Sequence, residues 1–424
     1  MVSISLVRRP RFRPLEPWQR NQYAVVMAVA LAFGSFELTQ SFVPLYIREL
    51  GAGNLADAAF WSGLVAGVAP LCAAIMGPFW GNLADRYGRK PMVLRALVFI
   101  SIMQFTCAFV PNVQWLLAAR ILMGLFAGFT SMAMALAIAV SPRERMAQAI
   151  GLVQAAQIAP AAVGPMIGGV LSDLIGLRNT FMVTGVLLII PSLMLTFLVN
   201  ESFDRKAAES AGGKGKSARG SMLSLVLIPG FAASLAILFV ARFTDRALPP
   251  ILPLYLIELD TPTAQLATIT GFVVSSGAVA ATCSSIFYGR LARPENTRRL
   301  LLTALAGGAF CSVLIAFAGN WLHVIVLRVV LGLFAGGTMS LAYTMGARLA
   351  PSERSGLTLS VLASCGMLGG AISPIMAGFL GQLSLRIVFF ATAAAYMIAV
   401  GLAALPSVRR AGMVEPAPAG EVVE

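Results

Sequence analysis

Charge is scarce in this chain. Only 12% of its 424 residues are Asp, Glu, Lys or Arg, and histidine occurs once, at His323. So few polar groups cannot cover the surface of a soluble globule of this length. The five cysteines (Cys72, Cys107, Cys283, Cys311 and Cys365) all lie in apolar runs without metal-ligand spacing, so neither a disulfide framework nor a metal centre is expected. The sequence contains no phosphate-binding P-loop, no HExxH and no GxSxG. Those absences argue against nucleotide-driven pumping and against an enzyme, and no cofactor is expected. Lys and Arg number 31 against 18 acidic residues, a formal charge of +13, yet no basic face with interleaved aromatics points to nucleic acid.

What the chain does have is apolar length. Hydrophobic residues make up 58% of it, the mean hydropathy is +0.83, and apolar stretches of bilayer-spanning length recur. Their punctuation gives twelve expected membrane helices, at 21–47, 58–80, 92–111, 113–140, 146–172 and 178–199, then at 231–256, 265–289, 299–319, 321–347, 355–382 and 386–405. The first run lacks a small-residue cleavage site and reads as an uncleaved span. The expected division is a tail (1–20), a six-helix bundle (21–199), a Gly-, Ser- and Lys-rich linker (200–222), a second bundle (223–405) and a second tail (406–424).

The positive residues test this topology. Twenty-four Lys and Arg fall on the side of the termini, whereas the opposite loops hold only Arg48, Arg178 and Arg386, and four arginines lie within spans. The positive-inside rule therefore puts both termini in the cytoplasm of a multi-pass inner-membrane protein.

The two halves also repeat each other. "VPLYIREL" at 43–50 returns as "LPLYLIEL" at 252–259, and "RILMGLFAG" at 120–128 returns as "RVVLGLFAG" at 328–336. "SPRER" at 141–145 matches "APSER" at 350–354, and Pro165 aligns with Pro374. Six-helix repeats flanking a midplane site are the architecture of secondary transporters.

"GNLADRYGRK" at 81–90 resembles the loop signature of the major facilitator superfamily, "LAARILMGLFAG" at 117–128 its helix-four signature, and "AAVGPMIGG" at 161–169 its exporter signature. The resemblance covers about residues 20–405 and is nearest to twelve-helix bacterial drug:proton antiporters. It implies an all-α, twelve-helix fold and an exporter working with protons, a small-molecule substrate and the bilayer, as a monomer. It further implies that Gly81 packs closely, Gly88 turns the chain, and Asp85, beside Arg86, Arg89 and Lys90, latches onto the other half. Gly164, Pro165, Gly168 and Gly169 are implied to seal the outer side. The second-half loop "YGRLARPENTRR" at 288–299 has lost its acidic position and is given no role.

Ionisable groups inside spans are expensive and tend to face a cavity or a partner. There are six: Glu37, Arg120, Arg242, Asp245, Arg246 and Arg328. Glu37, Gln40, Ser41 and Pro44 form a polar stripe on helix one, with the spacing repeated by Arg242, Asp245, Arg246 and Pro249 on helix seven. Glu37 and Arg120 lie in the same half of the membrane and are expected to meet across the cavity. A carboxylate in a low-dielectric cavity suits the uptake and release of a proton, so Glu37 and then Asp245 are the coupling candidates, supported by Arg120. A second reading, in which these charges are fixed helix–helix pairs, stands beside it, as does a structural role for Arg328. Gly124 with Gly128, and Gly332 with Gly336, read as packing faces. Gln104, Gln154 and Gln157 line the substrate path or tie helices together. The expected function is export of lipophilic or amphipathic drug-like molecules. The alternatives are a proton-linked metabolite symporter or facilitator, and a non-transporting receptor on the same fold.

Overall fold

The computed structural model describes residues 16–142, 145–201, 230–293, 295–349 and 355–405. Most of the expected tails and linker (1–15, 202–229, 406–424) lies outside the described residues. The described secondary structure is helical throughout, sixteen α-helices and one short 3₁₀ turn. We number them in chain order. In the first half these are α1 (Pro17–Gln40), α2 (Val43–Glu49), α3 (Leu55–Tyr87), α4 (Arg89–Thr106), α5 (Val113–Leu125), α6 (Phe129–Ala139), α7 (Met146–Ile175), α8 (Leu177–Leu187) and α9 (Ile189–Leu198). The second half holds α10 (Phe231–Ala247), α11 (Leu252–Glu258), α12 (Leu266–Leu291), α13 (Thr297–Ala316), α14 (Trp321–Leu349), α15 (Ser355–Leu383) and α16 (Leu385–Ala404).

Ten segments are long and apolar enough to cross a membrane, counting α5 with α6 and α8 with α9 as one each. The other two expected spans fall on α4, which carries Arg89, Lys90 and Arg95, and on α10, which has 17 residues and carries Arg242, Asp245 and Arg246. Charge makes those two segments less apolar. Several expected spans are broken. The first stops at Gln40 and resumes at Val43, so Ser41 and Pro44 leave the stripe expected on one continuous helix. The fourth breaks at Gly128, whose φ of +95° is left-handed, and Gly128 also packs against α3, since a methyl there would sit 3.4 Å from Trp80 Cβ. The carbonyls exposed by that break have partners: Trp80 Nε1 donates to Leu125 O at 2.7 Å, and Arg95 Nη2 donates to Phe126 O and Ala127 O, each at 3.3 Å. The Arg95 guanidinium also lies 3.4 Å above the Trp80 ring.

The repeat seen in the sequence is a repeat of contacts. Tyr46 donates to Cys107 O at 2.8 Å and packs on Phe181, with ring centroids 4.9 Å apart. Tyr255 donates to Ile315 O at 2.8 Å and packs on Phe389 at 4.8 Å. Both hydroxyls are buried, which satisfies a carbonyl near the end of the third helix of each half. Large apolar side chains such as Leu174, Phe197, Phe287 and Leu383 point outward, as a lipid-facing surface requires.

We call the Lys- and Arg-rich face inner and the opposite face outer. The halves meet through α3 against α15 and α7 against α12, and these interfaces are copies of each other. A methyl group at Gly63 would overlap Pro374 O, and one at Gly271 would overlap Pro165 O. One at Gly378 would come within 2.9 Å of Ala59 O, and one at Gly169 would overlap Ala267 O. Backbone thus touches backbone across both seams, all toward the outer face. Two hydrogen bonds cross there as well: Thr268 N to Asp173 Oδ2 at 2.7 Å, and Met166 N to Ser275 Oγ at 3.1 Å. Near the inner face, by contrast, a methyl at Gly77, Gly81, Gly151 or Gly289 would meet nothing within 4 Å.

Gly271→Ala should therefore wedge the outer seam apart. In a chain whose native cysteines have been replaced, a cysteine at buried Ala267 should react faster with a membrane-impermeant maleimide applied from the outer side. An unchanged rate would show that this contact does not hold the seam closed.

Candidate functional site

Helix α10 ends at the prolines Pro249 and Pro250, and its last turn carries the charges. Asp245 Oδ2 stands 3.9 Å from Arg242 Nη1 and 3.8 Å from Arg246 Nε, and all three side chains are partly exposed. Small residues on α15 make room for the two arginine stems. The Cβ position of Gly366 is 3.3 Å from Arg242 Cγ, and that of Gly370 is 3.6 Å from Arg246 Cγ. From α14, Arg328 reaches over Gly277 and comes within electrostatic range of Asp245 and Tyr396. Its Nε is buried and has no hydrogen-bond partner.

Glu37 approaches from the first half. Gly164 lets it in, since a methyl there would sit 2.7 Å from Glu37 Cβ. Across the boundary between the halves, Arg246 and Asp245 lie within electrostatic range of Glu37. The structure thus brings Glu37, Arg242, Asp245, Arg246 and Arg328 into one constellation. At the offset of 209 residues that relates "VPLYIREL" to "LPLYLIEL", Glu37 aligns with Arg246.

Arg120 does not join them. It is 2% exposed, its guanidinium lies 5.7 Å from the Phe36 ring, and Nη1 is 3.8 Å from Met123 Sδ. Its Nε and Nη2 have no hydrogen-bond partner, and no ion pair joins it to Glu37. The expectation that Glu37 and Arg120 meet is corrected here. Equal depth in the membrane does not fix the direction a side chain takes around a helix, and Arg120 turns toward Phe36.

The glutamines separate. Gln104 Nε2 donates to Thr39 Oγ1 at 2.7 Å and to Thr184 Oγ1 at 3.3 Å, tying three helices of the first half together. Gln154 is exposed, whereas Gln40 and Gln157 are partly buried. In the exporter signature, Gly168 rests against Leu38 O of α1, Gly169 against Ala267 of α12, and Pro165 O receives Gly271.

The loop signature serves its own half. Gly88 has φ +96° and makes the turn between α3 and α4. Asp85 is 71% exposed and lies 3.9 Å from Arg89 Nη2, and among the described residues it has no ion pair with the other half. Gly81 has open space around it, in place of the expected close packing. Arg86 is exposed, and Arg89 Nη1 donates to Ala135 O at 3.4 Å. Lys90 Nζ donates to Thr196 O at 2.9 Å and Val199 O at 2.6 Å, capping the end of α9. Glu201 completes the exchange. Its carboxylate accepts from Arg89 N at 3.0 Å and Lys90 N at 2.7 Å, at the amino end of α4. The sequence boundary at 200 had assigned Glu201 to the linker. The available signal was an acidic residue just past the end of an apolar run.

On the outer face, two of the arginines that seemed to break the charge rule have acidic companions in repeat. Arg386 Nε lies 3.3 Å from Glu258 Oε1. At the equivalent place, burial raises the Glu49 carboxyl above its ordinary value while nearby Arg178 opposes the shift. A cavity of about 510 Å³ opens beside Glu49, lined also by Arg48, Asp173 and Thr263.

Two repeat-related helical halves, in contact toward one face and with charged side chains between them, have the arrangement of a secondary transporter. Residues 25–319 and 235–422 match the Major Facilitator Superfamily in two overlapping stretches. A multi-drug resistance efflux pump PmrA homolog of Lactococcus lactis is 30% identical over 377 residues, covering 87% of this chain and 90% of that protein. The multidrug resistance protein MdtG of Yersinia enterocolitica is 31% identical over 377 residues, covering 89% of this chain and 90% of that protein. Among solved structures, a bacterial homolog of the human lysosomal transporter Spinster, in an inward-facing and occupied conformation, superposes with a TM-score of 0.73 at 17% identity, covering 92% of this chain and 97% of that one. The chain belongs to the Major Facilitator Superfamily and is a multi-pass membrane protein similar to multidrug exporters.

Glu201→Ala should lower stability by about 1–2 kcal/mol through loss of a helix cap. The check is the thermal unfolding midpoint of the purified protein, and a midpoint equal to wild type would show that the cap adds nothing.

Proposed function

We propose that the protein is a proton-coupled exporter of small lipophilic or amphipathic molecules, working by alternating access in the bacterial inner membrane. In this reading it is a monomer of twelve spans. Both termini are cytoplasmic, the linker is residues 200–222, and the bundles are 21–199 and 223–405. The observation that carries the proposal is that Glu37, packed on Gly164 in the first half, lies within electrostatic range of Asp245 and Arg246 in the second. Coupling needs a carboxylate that exchanges a proton, and a partner whose proximity depends on how the halves are tilted. Glu37 on α1 and the α10 charges meet that requirement, because they belong to opposite halves and have no direct ion pair locking them.

The closed outer seam, and an Asp85 whose ion-pair partner among the described residues is Arg89 of its own half, both suit an inward-facing state. Tilting the halves the other way would open the seam and bring the loop of Asp85 toward the second half, where it acts as an inner latch. Gly164, Pro165, Gly168 and Gly169 then form the outer seal. Arg120 supports the first half beside Phe36, and its part in coupling is indirect.

Efflux of a dye panel from everted vesicles tests this reading. Movement should collapse with a proton uncoupler, and uncoupler-insensitive movement would contradict coupling. Glu37→Gln should abolish substrate-stimulated proton release by the purified protein, and release equal to wild type would remove Glu37 from the mechanism. Asp85→Asn should slow transport several-fold while leaving substrate affinity within about twofold of wild type, consistent with a contact made in one state only. Equal loss of binding and transport would contradict the latch.

A further inference from the structure

The constellation between the halves is unbalanced. Among the described residues, Arg242, Arg246 and Arg328 have two carboxylates near them, Glu37 and Asp245. One positive charge is therefore in excess, and two are when Glu37 carries a proton. The two guanidinium contacts to Asp245, at 3.9 and 3.8 Å, are longer than a hydrogen bond, so Asp245 is shared without saturating either fork. Arg328 keeps a buried Nε without a partner. Uncompensated charge at membrane depth is costly and calls for a counter-ion, and guanidinium groups recognise planar or tetrahedral oxyanions. On the same helix as Arg242 and Arg246, Phe239 and Phe243 stack with ring centroids 6.3 Å apart.

We propose that the transported molecule is an amphiphile with an anionic head, a carboxylate or a phosphate, held by Arg242, Arg246 and Arg328 with its apolar body against the cavity walls. This rests on the exporter reading above and narrows its substrate class. It also connects substrate to proton: a second anion among these arginines competes with Glu37 for Arg246, so binding the head favours the protonated carboxyl and leaving favours its release.

The test is direct binding to the purified full-length protein in nanodiscs, with empty nanodiscs subtracted. The probes are octyl phosphate, octyltrimethylammonium and inorganic phosphate. Octyl phosphate should bind at least about tenfold more tightly than either of the others, the weight of one charge-assisted hydrogen-bond pair. Arg246→Gln and Arg328→Gln should each erase most of that preference, Arg246→Lys should keep part of it, and Arg299→Gln on the exposed surface should leave it intact. Equal or tighter binding of octyltrimethylammonium would overturn the proposal, and that comparison needs only the wild-type chain. Inorganic phosphate binding as tightly as octyl phosphate would also overturn it, by marking a small-ion site. An anion preference without uncoupler-sensitive export would support this site and remove the exporter reading.

Discussion

At Gly63, Gly169, Gly271 and Gly378, a helix of one half rests on the backbone of a helix of the other, with no volume between them for a methyl group. Contacts this close depend on packing and shape, since in lipid there is little hydrophobic gain from bringing two helices together. They are also easily made and broken, because they tie up few strong hydrogen bonds. The rest of the structure follows from that constraint. The halves are internally rigid, through anchors such as Tyr46 and Tyr255, and they touch each other along two narrow seams near one face. In the proposed mechanism, the charges placed below the seams, between the halves, respond to their tilt.

The second consequence concerns symmetry. Both seams obey the repeat, as do the tyrosine anchors and the outer acid–arginine neighbours. The charges do not. Glu37 stands where the second half has Arg246, so the repeat that builds a balanced scaffold carries an unbalanced centre. Asp173, which accepts the amide of Thr268 across the α7–α12 seam, is likewise without an acidic copy, because residue 382 is Gln. Scaffold follows the repeat, and chemistry departs from it.

Much of this was legible in the sequence. Apolar run length and the asymmetry of Lys and Arg located the helices, and the repeat at 43–50 and 252–259 already contained the two tyrosines. The exporter signature proved to lie on the seam, because small residues next to Pro165 leave its carbonyl accessible to Gly271. Other features were hidden for physical reasons. The left-handed turn at Gly128 leaves no mark in a small-residue pattern, and Trp80 and Arg95, distant in the chain, make the break tolerable. Arg120 and Glu37 share a depth, but the direction of each side chain around its helix is set by neighbours such as Phe36 and Gly164. Glu201 looked like linker because its partners, the amides of Arg89 and Lys90, lie over a hundred residues away.

The central claim is that the outer seam and the inner gap exchange as the halves tilt. Spin-label distances measured in one sample test it most directly, with one pair on the outer ends of α7 and α12 and one pair on the inner ends of α3 and α15. Two populations should appear, in which a longer outer distance always accompanies a shorter inner one, with their ratio moved by pH and by substrate. A single outer distance that stays fixed under all conditions in which the protein transports would contradict the account.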